Sequence, residues 1–402
     1  MNYKKVLPVI LMTFSLHAFA SAQNNETEKN TIIQKMVNQY VEKYSNTDVK
    51  NKGEGISGIQ LTVLQDGKIQ TFVAGTIGHN ITTPVTLENI FAWGSITDEK
   101  SIRPRKWRDV KIVQLLHMTS GIPNAINAKT IDTFWNKKTL FETNWQPNQI
   151  VEIAAKYTRS GYCKHQCFTP GTSYSYSNVN YIIADMIAEK AKKSAFDSQM
   201  QTLLKNAGVT AYYAPLKRPG TFLNGMVHGY YYDAEYSLPP VKDVPLGFDS
   251  SNTLQWSGYT SAGALIGNTQ NMAQAVYKLF NGKILSENSI KVLNNDYYVN
   301  EQTGKPVSNI AQCTKKNTGN NGCFGLGVGV LHNKTLGFTW IYEGLVTGYR
   351  SIYFWAPKEN TIVSISVNNI AGDNDHLVKF ATDVFNMAVN NTKNLSSHLK
   401  NN

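Results

Sequence analysis

Segments rich in β-branched and aromatic residues sit at the two ends of this chain, and that placement constrains its fold more than any other feature. Near the amino end, residues 58–65 and 68–73 flank Asp66-Gly67, a dipeptide that accepts the positive φ angles of a tight hairpin. Towards the carboxyl end, residues 324–332, 339–342, 351–355 and 361–367 repeat the strand pattern, with a turn at 357–360. Strands need partners for their backbone groups, so the spacing predicts one antiparallel sheet assembled from both ends.

Between these ends the periodicity changes. Ile32, Ile33, Met36, Val37, Tyr40, Val41 and Tyr44 recur three and four apart, which predicts an amphipathic helix ahead of the hairpin. Helices are also predicted over 110–118, over 181–191, over 261–280 and, closing the chain, over 375–391. The expected class is α+β, with a sheet lobe from about 23–93 and 324–390, a mostly helical lobe over about 94–323, and a polar tail at 391–402.

Residues 1–22 have the layout of a secretory leader. Lys4 and Lys5 precede a short apolar run, and Ala18-Phe19-Ala20 and Ala20-Ser21-Ala22 both offer small-x-small cleavage patterns. A periplasmic or secreted location is therefore expected, and no later stretch is long and apolar enough to predict a membrane span. The net charge of +11 falls to +9 without Lys4 and Lys5, which leaves a basic surface compatible with anionic cell-wall polymers or membrane headgroups. Nucleic acid is not an expected partner, because the basic run at 103–108 is short and no nucleic-acid-binding motif accompanies it. Cys163, Cys167, Cys313 and Cys323 form two local pairs, which an oxidising compartment would turn into disulfides, although four cysteines allow three connectivities. His165 between Cys163 and Cys167 admits a metal as the rival reading, but the spacing is wider than zinc ligands favour and no HExxH occurs.

Four segments stand out. They are Phe91-Ala92-Trp93-Gly94-Ser95-Ile96-Thr97, the stretch from Val113 to Pro123 with Thr119-Ser120-Gly121, Pro170-Gly171 followed by Tyr176-Ser177-Asn178, and Ser261-Ala262-Gly263-Ala264-Leu265. In this order they resemble the penicillin-recognising serine hydrolases: serine β-lactamases, D-alanyl-D-alanine carboxypeptidases and related esterases. The form Tyr-Ser-Asn is similar to that of the class C-like branch. The resemblance implies a β-lactamase/transpeptidase-like fold, no cofactor and no metal, and Ser95 as the nucleophile of an acyl-enzyme. It further implies that Tyr176 relays protons and that Asn178 positions a substrate amide. Tyr342-Glu343-Gly344 stands where relatives carry lysine or histidine, any residue, then glycine; Tyr342 and Gly344, with Arg350 reaching in, would then contact substrate. The implied substrates are small molecules or peptides: D-alanyl peptides, β-lactams, small esters or peptidoglycan-derived fragments. The oligomeric state is left open.

The chain departs from that pattern where the base should be. Three residues after Ser95 stands Asp98, not lysine, and Lys100 would lie about 140° around a helix from Ser95. Residues 98–106 are charged and broken by Pro104, which resembles an internal deletion of the helix that relatives place there. Thr97 with Lys100 restores hydroxyl-x-x-lysine spacing but gives up the Ser95 match. The alternative reading is a relative that binds a peptide or cell-wall fragment without turnover. Plain packing competes with function for Tyr342 and Tyr349, and loop-holding for Tyr176 and Asn178. His117 among Leu115, Leu116 and Met118 reads as a packed or capping histidine, and Ser120-Gly121 as a helix-ending turn. The absence of a Gly-x-Ser-x-Gly elbow argues against an α/β-hydrolase.

Overall fold

A computed structural model describes residues 7–46, 54–79, 81–94, 104, 107–124, 145–161, 163–213, 225–231, 242–243, 262–263, 265–282, 284–295, 298–308, 310, 313, 322–333, 337–346, 348–370 and 376–389. Eight α-helices lie among the described residues: α1 (Leu7–Tyr44), α2 (Ile112–Leu116), α3 (Pro147–Ser160), α4 (Asn178–Lys192), α5 (Phe196–Ala207), α6 (Thr269–Phe280), α7 (Glu287–Asn295) and α8 (Leu377–Val389). The amino-terminal strands are β1 (Gly58–Gln65), β2 (Lys68–Gly75) and β3 (Phe91–Gly94). Short strands come next: β4 (Tyr212–Tyr213), β5 (Tyr230–Tyr231), β6 (Lys242–Asp243), β7 (Leu265–Gly267), β8 (Val299–Asn300) and β9 (Cys323–Phe324). The last set is β10 (Gly329–Asn333), β11 (Gly337–Val346), β12 (Tyr349–Ala356), β13 (Thr361–Val367) and β14 (Asn369–Ile370).

The two chain ends meet in one eight-stranded sheet of order β2-β1-β13-β12-β11-β10-β9-β8, antiparallel throughout. The join is β1 against β13, with Ile59 opposite Val367, Leu61 opposite Ile365 and Val63 opposite Val363. Because side chains alternate across a strand, these residues share one face with Ile352 and Phe354. That face is largely apolar. It packs against Ile33, Val37, Tyr40 and Tyr44 of α1 and Phe380, Val384 and Phe385 of α8, each large apolar side chain contributing about 1.5–3 kcal/mol on full burial.

The opposite face is buried as well, but much of it is polar. Gln60, Thr62, Ser364 and Ser366 are all fully buried there. Small hydroxyl side chains let α6 approach closely, and their hydrogen bonds are made internally. Thr62 and Thr269 hydroxyls lie 2.8 Å apart, and Ser364 Oγ donates to the Thr269 carbonyl at 2.8 Å. Gln60 Oε1 accepts from Thr269 N at 2.7 Å, meeting an amide that the first turn of α6 cannot satisfy, while its Nε2 donates to the Thr86 carbonyl at 3.0 Å.

Three sequence expectations change on folding. The strand expected over 324–332 is interrupted by a turn in which Gly325 N donates to the Val328 carbonyl at 2.8 Å and Gly327 takes φ +81°. The helix expected over 261–280 begins only at Thr269; Leu265–Gly267 is a buried strand between β3 and β4, and Asn268 caps the helix by accepting from Asn271 N at 2.9 Å. The first helix starts upstream of its apolar stripe, at Leu7. No helix among the described residues is long and apolar enough to cross a membrane.

Candidate active site

The Tyr-Ser-Asn segment is mounted on the Thr-Ser-Gly segment. Ser175 N donates to the Met118 carbonyl at 3.0 Å and Gly171 N to the Thr119 carbonyl at 2.7 Å. Ser120, 1% exposed, donates to Asn180 Oδ1 of α4 at 2.6 Å and accepts from Ile122 N at 3.0 Å. A Cβ on Gly121 would stand 2.1 Å from the Phe168 carbonyl oxygen, and its φ is +69°, so glycine is required at this crossing. Ser120 is therefore a structural hydroxyl, as its sequence context implied. His117 is buried, its Nδ1 2.9 Å from Thr119 Oγ1, and burial lowers its pKa, which fits the packed reading.

This mounting brings Tyr176 to the sheet. Its hydroxyl lies 2.9 Å from that of Tyr342 on β11, across 166 residues of sequence. Burial first, then the neighbouring phenols of Tyr176 and Tyr181, hold Tyr342 well above the ordinary tyrosine pKa. Tyr342 is thus a neutral hydrogen-bonding group where a lysine or histidine was expected. Phe324 of β9 lies beneath the cluster, its ring centroid 6.0 Å from Tyr174, 6.4 Å from Tyr176 and 6.1 Å from Tyr342. Asn178, half-buried, opens α4 two residues after Tyr176.

Gly344 faces the same way as Tyr342 and is opposite Ser351 on β12. Ser351 Oγ donates to the Ala92 carbonyl at 3.2 Å, which fastens β3 across this part of the sheet. Ser95 comes directly after β3 in sequence. Ser95 and Lys100, with Thr97 and Asp98, lie outside the described residues. Trp107 is buried with Leu115, Met118 and Ile150.

Arg350 does not join Tyr342 and Gly344. It pairs with Leu345 and Val367 in register, which turns its side chain to the α1/α8 face of the sheet. There the guanidinium is 1% exposed, 3.3 Å from Glu54 Oε2 and 3.8 Å from Glu343 Oε1. The expectation that it reaches substrate beside Tyr342 is corrected by this register. The cysteines pair locally as two disulfides, Cys163–Cys167 and Cys313–Cys323, so Cys163 and Cys167 do not form a thiolate pair around His165.

One residue that no sequence motif marks lies on the turn that packs against the backbone of Ser173 and Tyr174. Burial pushes Glu301 up to about 7, and its charge in turn raises the pKa of Tyr174. Sequence reasoning missed it because its position depends on the β8–β9 pairing.

Known proteins carry the same fold. Residues 101–381 match the Beta-lactamase family, well over half of the chain. The chain belongs to the β-lactamase family. A β-lactamase of Yersinia enterocolitica is 22% identical over 240 residues, covering 53% of this chain and 52% of that protein, so the match spans about half the length of the relative. Among solved structures, the D-amino acid amidase of Ochrobactrum anthropi SV3 complexed with L-phenylalanine amide superposes with a TM-score of 0.65 at 17% identity, over 92% of this chain and 99% of that one. A D-stereospecific amidohydrolase from Streptomyces sp. gives 0.62 at 17% identity, covering 88% and 97%. The octameric penicillin-binding protein homologue of Pyrococcus abyssi gives 0.59 at 17% identity, covering 83% and 74%. These likenesses establish the β-lactamase/transpeptidase-like fold, with its large antiparallel sheet and helices, in which the Tyr176–Tyr342 contact joins the helical part of the molecule to the sheet.

Proposed function

We propose that this chain is an exported serine hydrolase that works by acyl transfer on D-alanyl peptides, β-lactams or small esters. The observation that carries the reading is the 2.9 Å contact between the Tyr176 and Tyr342 hydroxyls, which unites the Tyr-Ser-Asn segment with the strand bearing Gly344. In this reading Ser95 Oγ attacks the carbonyl carbon, the bond to the leaving amine or alcohol breaks, and water later cleaves the acyl-serine ester. Tyr176 passes the serine proton towards the leaving group, with Tyr342 as its neutral partner, and Asn178 orients the substrate amide. Lys100 is the candidate base in place of the lysine that Asp98 replaces. Ser351 fastens β3, the strand that ends one residue before Ser95 in sequence. Amide-hydrolysing structural neighbours make D-configured amides a reasonable addition to the substrate set.

Two disulfides and the leader-like residues 1–22 support a periplasmic or secreted setting, in which peptidoglycan-derived fragments would be available. The deciding experiment is the mass of the purified protein after exposure to a penicillin. A stable adduct on the Ser95 peptide, lost in Ser95→Ala, is expected. A second reading, a binding protein without turnover, is favoured by Asp98 and by the uncharged Tyr342. It predicts saturable binding of a peptide or cell-wall fragment and no adduct.

A further inference from the structure

Met118 sits where the Thr-Ser-Gly segment leaves α2, in a backbone conformation that residues with a side chain seldom adopt. Its φ is +63°, in the left-handed region, and the residue is fully buried. The main chain holds it there from both sides: Met118 N donates to the Leu115 carbonyl at 3.2 Å, and Thr119 N to the Gln114 carbonyl at 2.9 Å. This turn closes α2 and carries the thioether to the start of α4. The sulfur accepts from Ser177 N at 3.5 Å and from Asn180 Nδ2 at 3.2 Å.

The residues held in this way frame Tyr176. Ser175 N donates to the Met118 carbonyl at 3.0 Å, so one methionine grips the residue before Tyr176 with its backbone and the residue after it with its side chain. Ser177 and Asn180 are fully buried, and among the described residues neither the Ser177 amide nor Asn180 Nδ2 has another acceptor. Ser120 orients Asn180 in turn: its hydroxyl donates to Oδ1 at 2.6 Å, which leaves the amide nitrogen for the sulfur. A thioether is a weak acceptor, but a leucine of similar volume accepts nothing. A buried donor stripped of its acceptor costs more than the weak bond it loses, so an apolar replacement loosens the segment. Tyr176 would then have to meet the Tyr342 hydroxyl, now 2.9 Å away, from a less fixed backbone.

We propose that Met118 is a positioning residue for Tyr176, its sulfur and its carbonyl together fixing the phenol against Tyr342. The placement itself is independent of any reaction; its consequence for the rate rests on the acyl-transfer reading.

The test compares the full-length protein with Met118→Leu, which keeps the volume and removes the acceptor. Hydrogen exchange of the amides at 175–180, followed by mass spectrometry, should quicken about tenfold, while exchange at 361–367 in β13 stays unchanged. Unaltered exchange at 175–180, or equal quickening in both segments, would overturn the proposal. Penicillin labelling gives a second readout through a double-mutant cycle with Tyr176→Phe. Met118→Leu should slow labelling about tenfold in the wild-type background and no more than about twofold in Tyr176→Phe, where the hydroxyl to be positioned is gone. No slowing in the first background, or an equal loss in both, would reduce Met118 to packing and overturn the proposal. Should Met118→Leu fail to fold, Met118→norleucine, which exchanges only the sulfur for a methylene, is judged by the same outcomes. A wild-type chain that forms no penicillin adduct removes the acyl-transfer reading, and the exchange result alone then upholds or overturns the placement of Tyr176 by Met118.

Discussion

Two side chains around the Tyr-Ser-Asn segment each make a prediction of their own. Tyr342 shares a hydrogen bond with Tyr176 through a group that stays neutral, where relatives are expected to offer a cation. Removing that hydroxyl in Tyr342→Phe deletes one hydrogen bond of about 1 kcal/mol. The rate of penicillin labelling should fall about fivefold while the melting temperature moves little; an unchanged rate would show that Tyr342 only packs. Glu301 makes a prediction about stability. Its folded pKa of about 7 exceeds the ordinary glutamate value, so the stability tied to its proton is complete at acid pH and is lost as pH rises to about 7. Glu301→Gln cannot ionise. Its advantage over the wild type should therefore be larger at pH 8 than at pH 5, measured by urea unfolding, and a pH-independent difference would contradict the buried carboxylate.

Among the elements, α8 and β12 are joined by a buried charge cluster. Glu54, just before β1, has a side chain with no exposure. Its Oε1 accepts from the His376 backbone N at 3.0 Å, capping the start of α8, and from His376 Nδ1 at 2.6 Å. Its Oε2 accepts from Tyr40 Oη of α1 at 3.1 Å and from Arg350 Nη2 at 3.3 Å. One carboxylate thus ties α1, α8 and β12 together, and this explains why Arg350 is unavailable to substrate. Arg350→Met leaves Glu54 buried without its guanidinium and should cost about 3–5 kcal/mol of unfolding free energy. Coupling it with Glu54→Gln should recover part of that loss. A double variant no more stable than the single one would show that the two side chains act independently.

At the scale of the whole molecule, the tyrosine content becomes a liability in alkali. Burial raises Tyr174, Tyr342 and Tyr353, and pushes Tyr298 up to about 12. Each is protonated in the fold at a pH where the unfolded chain, with phenols near 10, already ionises. The stability they contribute is whole below pH 10 and is lost as pH climbs through their folded values. Alkaline unfolding should thus begin above pH 10, with the absorbance of ionised phenol rising together with loss of helical circular dichroism. Smooth phenol ionisation at pH 10 in a still-folded protein would refute the burial of these hydroxyls.

The hairpin at Asp66-Gly67, the strand over 361–367 and the apolar stripe from Ile32 to Tyr44 were legible because their periodicity is local: a face that must be buried leaves its spacing in the sequence. The same holds for the family order of the Tyr-Ser-Asn and Thr-Ser-Gly segments. The interruption at Gly325–Val328 and the strand at Leu265–Gly267 were not legible, because short buried strands read like helix or like continuous strand until their partners are known. Which face Arg350 occupies, the meeting of Tyr176 with Tyr342, and the packing of the Glu301 turn on the backbone before Tyr174 were decided only by tertiary structure. Each depends on a register or a crossing between segments far apart in the chain, and a shift of one residue in a strand would reverse the face to which its side chain points.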